Sequence, residues 1–327
     1  MSRKRKKKYF RKIKLKYLSD LVRKDQFEVI VVATMSAGKS TIINSLIGME
    51  LLPASNQACT SRVFKIENID GMQDYKATIV GADKTISTWI DANPESLKNL
   101  SALEVKGSIL IHGDMKNITN TELSLAIYDT PGPNNSQDVT HSNITREILN
   151  DGNYGLILYV LNATQFGVDD DAKLLNDLFD FVGNDLDKKD VLFILNKADQ
   201  LDEGLGEDLD TVVTNVNEYL EHHGFQKPVI IPLSSISALL ARKIKKNEPL
   251  TSKEKRTYHD LLDHYDEVKN PLYEHGTIAE AVKSQLINNK NESTEMDKLI
   301  EYSGITAIEY FLHQKLRVVK KEVRIDS

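Results

Sequence analysis

Residues 33–40 read Ala33-Thr34-Met35-Ser36-Ala37-Gly38-Lys39-Ser40. An apolar run precedes this stretch at 27–32 and an amphipathic segment follows it at 41–47, which predicts a strand, a loop and a helix in that order. Small residues let backbone N–H groups surround a phosphate, and the positive end of the helix dipole attracts the same anion. The stretch therefore predicts a phosphate-binding loop from Ala33 to Thr41, with a chance match to a relaxed pattern as the alternative.

Two side chains of this loop carry the predicted chemistry. Lys39 is expected to reach the β- and γ-phosphates of a bound nucleotide, and the Ser40 hydroxyl is expected to bind Mg²⁺. Ala33 occupies the position where the pattern usually has glycine. We expect the start of the loop to tolerate less backbone strain for that reason.

A second motif, Asp129-Thr130-Pro131-Gly132, ends the apolar run at 123–128. In phosphate-loop nucleotide hydrolases an aspartate at the end of a strand holds Mg²⁺ through water. Asp129 is the predicted counterpart of that residue, and the Gly132 N–H is expected to meet the γ-phosphate. An aspartate-initiated turn is the alternative, because Pro-Gly pairs mark turns in many proteins.

A third motif, Asn196-Lys197-Ala198-Asp199, follows the apolar run at 191–195. An acidic side chain in this place accepts hydrogen bonds from N1–H and the exocyclic amine of guanine, a donor pair that adenine lacks. Ser234 and Ser235 follow the strand-like run at 228–233, where they would support the guanine edge or cap a helix. Each segment alone is also compatible with a polar loop, but the ordered set indicates a guanine-nucleotide site.

With these motifs in place, the sequence resembles the GTPase domain of the bacterial dynamin family over residues 27–241. The segments that carry the likeness are ATMSAGKSTIINSLIG, LPASNQACTSR, YDTPGPNN and NKAD. Within that family it is most similar to the dynamin-like proteins implicated in replication-clamp binding and chromosome positioning. The resemblance implies that GTP, GDP and Mg²⁺ are the ligands, that GTP is hydrolysed, and that GTPase domains associate with one another.

The resemblance also assigns roles to single residues. Thr60 would be the switch threonine that joins Mg²⁺ and senses the γ-phosphate, although the residues alone do not distinguish it from Ser55 or Ser61. Ser36 matches a phosphate-loop serine of the family. The catalytic residues implied in this way are Ser36, Lys39 and Thr60, and the implied metal ligands are Ser40, Thr60 and Asp129.

Two departures from related GTPases put the rate of hydrolysis in question. Met35 stands where eukaryotic dynamins carry a glutamine that positions water, and Pro133 stands where small GTPases carry theirs. One alternative is therefore a hydrolytically weak GTP-binding module that recruits a replication or chromosome partner. A ribosome-assembly GTPase is a further alternative, but the sequence contains no signature of an RNA-binding domain.

Composition fits a chain of one or two domains in a reducing compartment. The chain has 327 residues, 40% of them hydrophobic, and a single cysteine, which excludes an internal disulfide. No run of 18 apolar residues is present, so no transmembrane segment is predicted. We expect a cytoplasmic protein, peripheral at a membrane or at the nucleoid.

The charge is concentrated at the N-terminus. The first 16 residues hold ten basic and no acidic residues, while the remainder holds 32 basic against 48 acidic ones. A basic arm on an acidic body favours an anionic surface, either lipid or DNA. The family resemblance implies the replication machinery as a further partner at DNA. The start of a solvated helix is the third interpretation of the same residues.

Hydrophobic patterns predict an α/β protein with a mostly parallel sheet, and the resemblance implies that this is a P-loop GTPase fold with helices on both faces. The predicted strands are 27–33, 62–67, 75–80, 105–112, 123–129, 155–162, 191–195 and 228–233. Short, continuously apolar strands from 155 onward favour parallel pairing with helices on both faces. The alternating strands 75–80 and 105–112 favour an antiparallel edge. Helices are predicted at 169–182 and 207–223.

Three regions are predicted: a basic N-terminal helix or tail at 1–26, the GTPase domain at 27–241 and a helical appendage at 242–327. The last helix, 305–323, is expected to pack against the N-terminal helix beneath the GTPase domain, as the two do in dynamin relatives. The long stalk of those relatives does not follow. The expectation is that the chain either ends before that module or belongs to a minimal form that lacks it.

Overall fold

The structure is a computed structural model that describes residues 26–34, 36–53, 62–81, 85–103, 107–121, 123–130, 154–167, 169–182, 190–202, 208–268, 270–288 and 294–323. Within these residues one sheet contains nine strands: β1 (Gln26–Ala33), β2 (Phe64–Asn68), β3 (Lys76–Gly81), β4 (Ile90–Asp91), β5 (Gly107–Gly113), β6 (Ser124–Asp129), β7 (Leu156–Asn162), β8 (Asp190–Asn196) and β9 (Val229–Leu233). The described α-helices are α1 (Lys39–Ile47), α2 (Pro94–Ser101), α3 (Asp169–Val182), α4 (Leu209–His222), α5 (Ser235–Lys245), α6 (Ser252–Val268), α7 (Glu280–Asn288), α8 (Glu295–Tyr302) and α9 (Ile305–Val323).

The sheet has a parallel half and a mixed half. Its strand order is β4-β3-β5-β2-β6-β1-β7-β8-β9. Strands β6, β1, β7, β8 and β9 all run parallel, whereas β3 pairs antiparallel with β4 and β5, and β2 runs antiparallel to β6. The predicted α/β fold, the parallel strands from 155 onward and the antiparallel edge are confirmed.

Burial on both faces explains why the central strands are continuously apolar. Residues 156–161 of β7 are all buried, because helices cover the sheet on both sides. One core packs α1 and α9 against the sheet, and the other packs α3, α4 and α8 against the opposite face. The helical spacing of Leu174, Leu175, Leu178, Phe179 and Val182 predicts a core stripe, and all five pack in the second core, Phe179 being only partly buried.

The C-terminal helices share these cores with the strands. Tyr302 of α8 is buried in one core, and Leu312 of α9 is buried in the other. Helix α5 continues across the boundary predicted between residues 241 and 242. That division into domains stays a prediction, and what the structure adds is that the strands and these helices are packed as one body.

Arg242 of α5 joins three helices through buried contacts. Its guanidinium donates to the Ser45 backbone carbonyl near the end of α1 and lies 2.6 Å from the Glu309 carboxylate of α9. Arg242 is 6% exposed, so its charge requires these partners. The last helix is therefore attached to the helix that follows the phosphate-binding loop.

A buried polar network lies within the sheet itself. Glu67 on β2 stands directly opposite His112 on the parallel neighbour β5, with 2.9 Å between Oε2 and Nε2. The Lys65 ammonium lies 3.0 Å from the other Glu67 oxygen. Burial alone would raise the pKa of Glu67, but the contacts with His112 and Lys65 outweigh it and lower the pKa to about 2.

Strand β4 was not predicted, because two residues give no readable alternation. Residues 1–25, which carry the predicted basic helix, lie outside the described residues, so the predicted contact between that helix and α9 also stays a prediction. None of the helices that the structure describes combines the length and the apolar character that a bilayer crossing requires.

Candidate functional site

The predicted motifs meet at one edge of the sheet. Parallel strands bring their carboxyl ends to the same edge. In register, Val31 of β1 pairs with Asp129 of β6, while Asn196 of β8 pairs with Leu233 of β9. The loops that follow β1, β6, β8 and β9 are therefore neighbours, although β1 ends at Ala33 and β9 ends at Leu233, 200 residues later.

Two of the described residues of the phosphate-binding loop are left-handed. Gly38 has φ 93°, and a Cβ atom there would lie 2.2 Å from the Asn196 side-chain nitrogen, so only glycine fits. Ser36 has φ 63° and is exposed. Ala33 is the last residue of β1, and because its backbone is that of a strand, its methyl group meets no left-handed strain.

The N-terminus of α1 faces this loop without a capping side chain. Gly38 is the N-cap, its carbonyl accepts the first helical hydrogen bond from the Ile42 N–H at 3.0 Å, and no described side chain caps the first turn. The first turn also contains no acidic residue. Its N–H groups and the helix dipole suit an anion placed at the loop.

Lys39, Ser40 and Asp129 form a charged cluster beside the loop. The Lys39 ammonium lies 3.2 Å from Asp129 Oδ1, and the Ser40 hydroxyl donates to Asp129 Oδ2 at 3.2 Å. Asp129 is 3% exposed, and its Oδ1 contacts Lys39 without the angle of a directed hydrogen bond. The adjacent Thr130 hydroxyl donates to the Val31 carbonyl at 2.9 Å, which fixes the end of β6 against β1.

Asn196 joins the first and third motifs. Its side-chain nitrogen donates to the Ala37 carbonyl at 2.8 Å, and its side-chain oxygen accepts from the Ser235 N–H at 3.1 Å. Asn196 is 1% exposed, so both bonds are shielded from water. Asn196 thus links the phosphate-binding loop to the start of α5 through two hydrogen bonds. The sequence did not predict this link.

Asp199 presents an unsatisfied carboxylate oxygen to the site. Its Oδ1 is buried and has no hydrogen-bond partner among the described residues. Burial raises the pKa of Asp199, although a hydrogen bond with Ser234 opposes that effect. Lys197, two residues before Asp199, has φ 65° and is the N-cap of the 3₁₀ turn Ala198–Gln200 that carries Asp199. A buried acceptor without a partner suits a ligand that donates hydrogen bonds.

Ser234 and Ser235 begin α5 at the same edge. Ser234 is the N-cap, and its hydroxyl accepts from the Ser237 N–H at 3.3 Å. The helix-capping alternative for this serine pair is thus confirmed, and the hydrogen bond with Asp199 places Ser234 at the site as well.

A cavity of about 410 Å³ extends from the phosphate-binding loop past Asp199 to α6. It is lined by Gly38, Thr41, Asn196, Lys197, Asp199, Gln200, Ser235, Ile236, Leu240, Lys253, Glu254 and Thr257. The contribution of α6 was missed by the sequence motifs. Met35, Thr60 and Gly132 lie outside the described residues, so their predicted roles stay predictions.

Comparison with known proteins agrees with this geometry. Residues 29–198, slightly more than half of the chain, match the Dynamin family. No curated protein matches the sequence. A solved structure described as an oligomerised bacterial dynamin pair, providing a mechanism for the long-range sensing and tethering of membranes, is 19% identical with a TM-score of 0.51. That match covers 96% of this chain and 53% of the other, so this chain spans about half its length.

A second solved structure is the Era protein of Aquifex aeolicus bound to GDP and aluminium fluoride. It is 21% identical with a TM-score of 0.36, over 70% of this chain and 58% of that one. The family match begins within β1, covers the phosphate-binding loop and Asp129, and ends at Ala198, one residue before Asp199. The assembled loops and the family match lead to one conclusion: the chain belongs to the dynamin family.

Proposed function

We propose that the chain binds GTP with Mg²⁺ and hydrolyses the nucleotide to GDP. The observation that carries this proposal is the pair of hydrogen bonds by which Asn196 links the phosphate-binding loop to α5. This link holds the phosphate-binding loop, whose Lys39 contacts Asp129, beside the turn Ala198–Gln200 that carries Asp199. One site thus combines groups for a triphosphate with an acceptor for a base.

The phosphate end supports a nucleotide with its metal ion. Ser40 and Asp129 offer a hydroxyl and a carboxylate that already contact each other, and oxygen atoms of this kind are the ligands Mg²⁺ prefers. Bound there, the ion would neutralise charge on the phosphate oxygens. Lys39 would exchange its contact with Asp129 for the β- and γ-phosphates, with the proposed Thr60 and Gly132 completing the γ-phosphate site.

The base end supports guanine. The Asp199 carboxylate, whose buried Oδ1 is unpaired among the described residues, would accept from N1–H and the exocyclic amine, a donor pair that adenine lacks. Ser234 and Ser235 hold this carboxylate and the loop around it. In this proposal the family role of the third motif is carried by Asp199, while Asn196 acts mainly through its two structural hydrogen bonds.

Hydrolysis would proceed by in-line attack of water on the γ-phosphate, with Lys39 and loop N–H groups stabilising the developing charge. Met35 and Pro133 leave both usual glutamine positions without glutamine. We infer that a second GTPase domain completes the site, so that self-association and turnover are linked. The solved dynamin pair was described as oligomerised, which supports this inference at the level of the family.

The same two positions favour a second candidate function: a GTP-binding module with feeble hydrolysis that recruits a replication or chromosome partner. Under either function we propose a cytoplasmic protein whose basic residues 1–16 contact an anionic membrane or DNA. The dynamin-like subtype linked to clamp binding and chromosome positioning belongs to this proposal.

The identity of the base tests the proposal. Asp199→Asn should weaken GTP binding by tenfold or more, about the loss of a hydrogen bond to a charged group, and should favour xanthosine triphosphate, whose extra carbonyl prefers an amide donor. Calorimetry with GTP, ATP and xanthosine triphosphate measures this exchange. Wild-type protein that binds ATP as tightly as GTP would contradict the guanine assignment.

The pH dependence of binding gives the same test a second readout. Only the ionised form of Asp199 accepts both guanine donors, and burial raises its pKa above the ordinary 3.8. As the pH is lowered, the affinity for GTP should therefore begin to fall at a higher pH than it would if the pKa of Asp199 were the ordinary one. The Asp199→Asn variant should lack this fall.

A further inference from the structure

The first turns of α6 line the nucleotide cavity, although this helix lies beyond the segment that matches the Dynamin family. The residues that α6 contributes are Lys253, Glu254 and Thr257. They line the same cavity as Asp199, and nothing in the motifs of the GTPase domain requires them.

Local interactions hold α6 in this place. Thr251 and Glu254 form a reciprocal capping box, with the Thr251 N–H donating to Glu254 at 2.7 Å and the Glu254 N–H donating to the Thr251 hydroxyl at 3.2 Å. Glu254 also pairs with Lys243 of α5. Tyr258 and Leu261 of α6 are buried in the second core. The start of α6 is therefore anchored to α5, which itself begins at the site.

Lys253 and Thr257 are the uncommitted polar groups of this wall. They lie one turn apart on the flank of the buried stripe, and neither forms a hydrogen bond or ion pair with the residues that the structure describes. The ammonium offers three donors, and the hydroxyl both donates and accepts. Glu254, in contrast, is already occupied by Lys243 and Thr251.

The composition of the cavity decides which part of a nucleotide these groups face. Lys197, Asp199 and Gln200 line it together with α6. The phosphate-binding loop contributes Gly38 and Thr41, whereas Lys39 and Asp129, the charged groups of the phosphate end, are not among its lining residues. The wall is thus at the base end. Guanine and ribose offer acceptors there, namely O6, N7 and the ribose oxygens, that an aspartate cannot serve.

We propose that α6 forms the outer wall of the base and ribose site, and that Lys253 and Thr257 bind the part of the ligand that GTP and GDP share. This inference rests on the proposed guanine-nucleotide function. It assigns a role to a helix in the region after residue 241.

The test is calorimetric titration of the full chain with GTP and with GDP, in the presence of Mg²⁺. Lys253→Ala and Thr257→Val should each weaken both nucleotides by the same factor, about three- to tenfold, as expected for single polar contacts at a partly exposed site. Lys253→Arg and Thr257→Ser should retain most of the affinity. The matched control is Lys255→Ala, an exposed lysine on the same helix that does not line the cavity, and it should bind as wild type does.

Three results would overturn the inference: unchanged affinities in both variants, a loss confined to GTP, or an equal loss in the Lys255→Ala control. A loss confined to GTP would place Lys253 at the terminal phosphate, and an equal loss in the control would indicate a general charge effect. Wild-type protein that binds neither nucleotide would instead refute the proposed function itself. The two failures are thereby distinguished before any variant is compared.

Discussion

At the scale of single residues, Lys39 and Asp129 hold each other in a pair that a nucleotide would separate. Asp129 is almost fully buried, so its charge needs the Lys39 ammonium and the Ser40 hydroxyl when no phosphate is bound. The arrangement keeps the lysine beside the loop, where the proposed function places the phosphates. The position of Lys39 beside the loop, and not only its positive charge, supports its proposed role in binding phosphate.

Lys39→Ala should therefore weaken GTP binding by about tenfold to a hundredfold, the loss of a charge-assisted contact, while the fold stays intact. Calorimetry gives the affinity, and circular dichroism checks the fold. Lys98→Ala, which removes an exposed lysine from α2 away from the cavity, is the control. Wild-type affinity in the Lys39→Ala variant, with an unchanged spectrum, would contradict the assigned role.

At the scale of secondary structure, the pairing of β2 with β5 buries a carboxylate between a histidine and a lysine. Glu67 has a pKa lowered from 4.5 to about 2, so its contribution to stability is fully present above pH 4.5 and is lost as the pH falls through about 2. At 1.36 kcal/mol per pKa unit, this corresponds to about 3 kcal/mol at neutral pH.

Glu67→Gln should lower the free energy of unfolding by about 1–3 kcal/mol at pH 7, and the gap to wild type should close between pH 4.5 and 2. Urea denaturation across this range measures the gap. Glu218→Gln, an exposed carboxylate on α4, is the matched control and should change little. A gap that stays constant down to pH 2 would show that Glu67 contributes through packing and not through its charge.

The strands could be predicted because their patterns are local, whereas the contacts between loops could not. Residues 156–161 are apolar in sequence and buried in the structure, since nothing but a two-sided core suits such a run. The hydrogen bond from Asn196 to Ala37 joins positions 159 residues apart, and no periodicity reports it. Helix α6 had one readable signal, the Thr251 and Glu254 capping pattern, but nothing in the sequence placed that helix at the cavity.

At the scale of the whole molecule, the chain joins an acidic folded body to a strongly basic N-terminal segment. Ten basic residues lie in the first 16, outside the described part of the chain. Each basic residue near an anionic membrane contributes about 1 kcal/mol, so half of the ten would contribute about 5 kcal/mol to the proposed anchor. Salt weakens such an anchor, because the screening length is about 8 Å at physiological ionic strength.

Deleting residues 1–16 should abolish sedimentation with anionic liposomes or retention on DNA, and it should leave GTP affinity unchanged. A matched variant with the ten basic residues replaced by glutamine keeps the length and should behave as the deletion does. Competition of DNA against bound liposomes distinguishes the two surfaces. A lower melting temperature on deletion, without loss of binding to either surface, would instead assign the segment to the helical packing.

The central claim is that the dynamin-family site turns over GTP and is completed by a second copy of the chain. The most direct measurement is phosphate release from GTP with Mg²⁺ across a hundredfold range of protein concentration. Specific activity should rise with concentration, and GDP with aluminium fluoride should yield dimers in sedimentation, because neither Met35 nor Pro133 positions water as a glutamine would. Turnover that is absent at every concentration, or that proceeds at a constant specific activity in a strictly monomeric protein, would contradict the account.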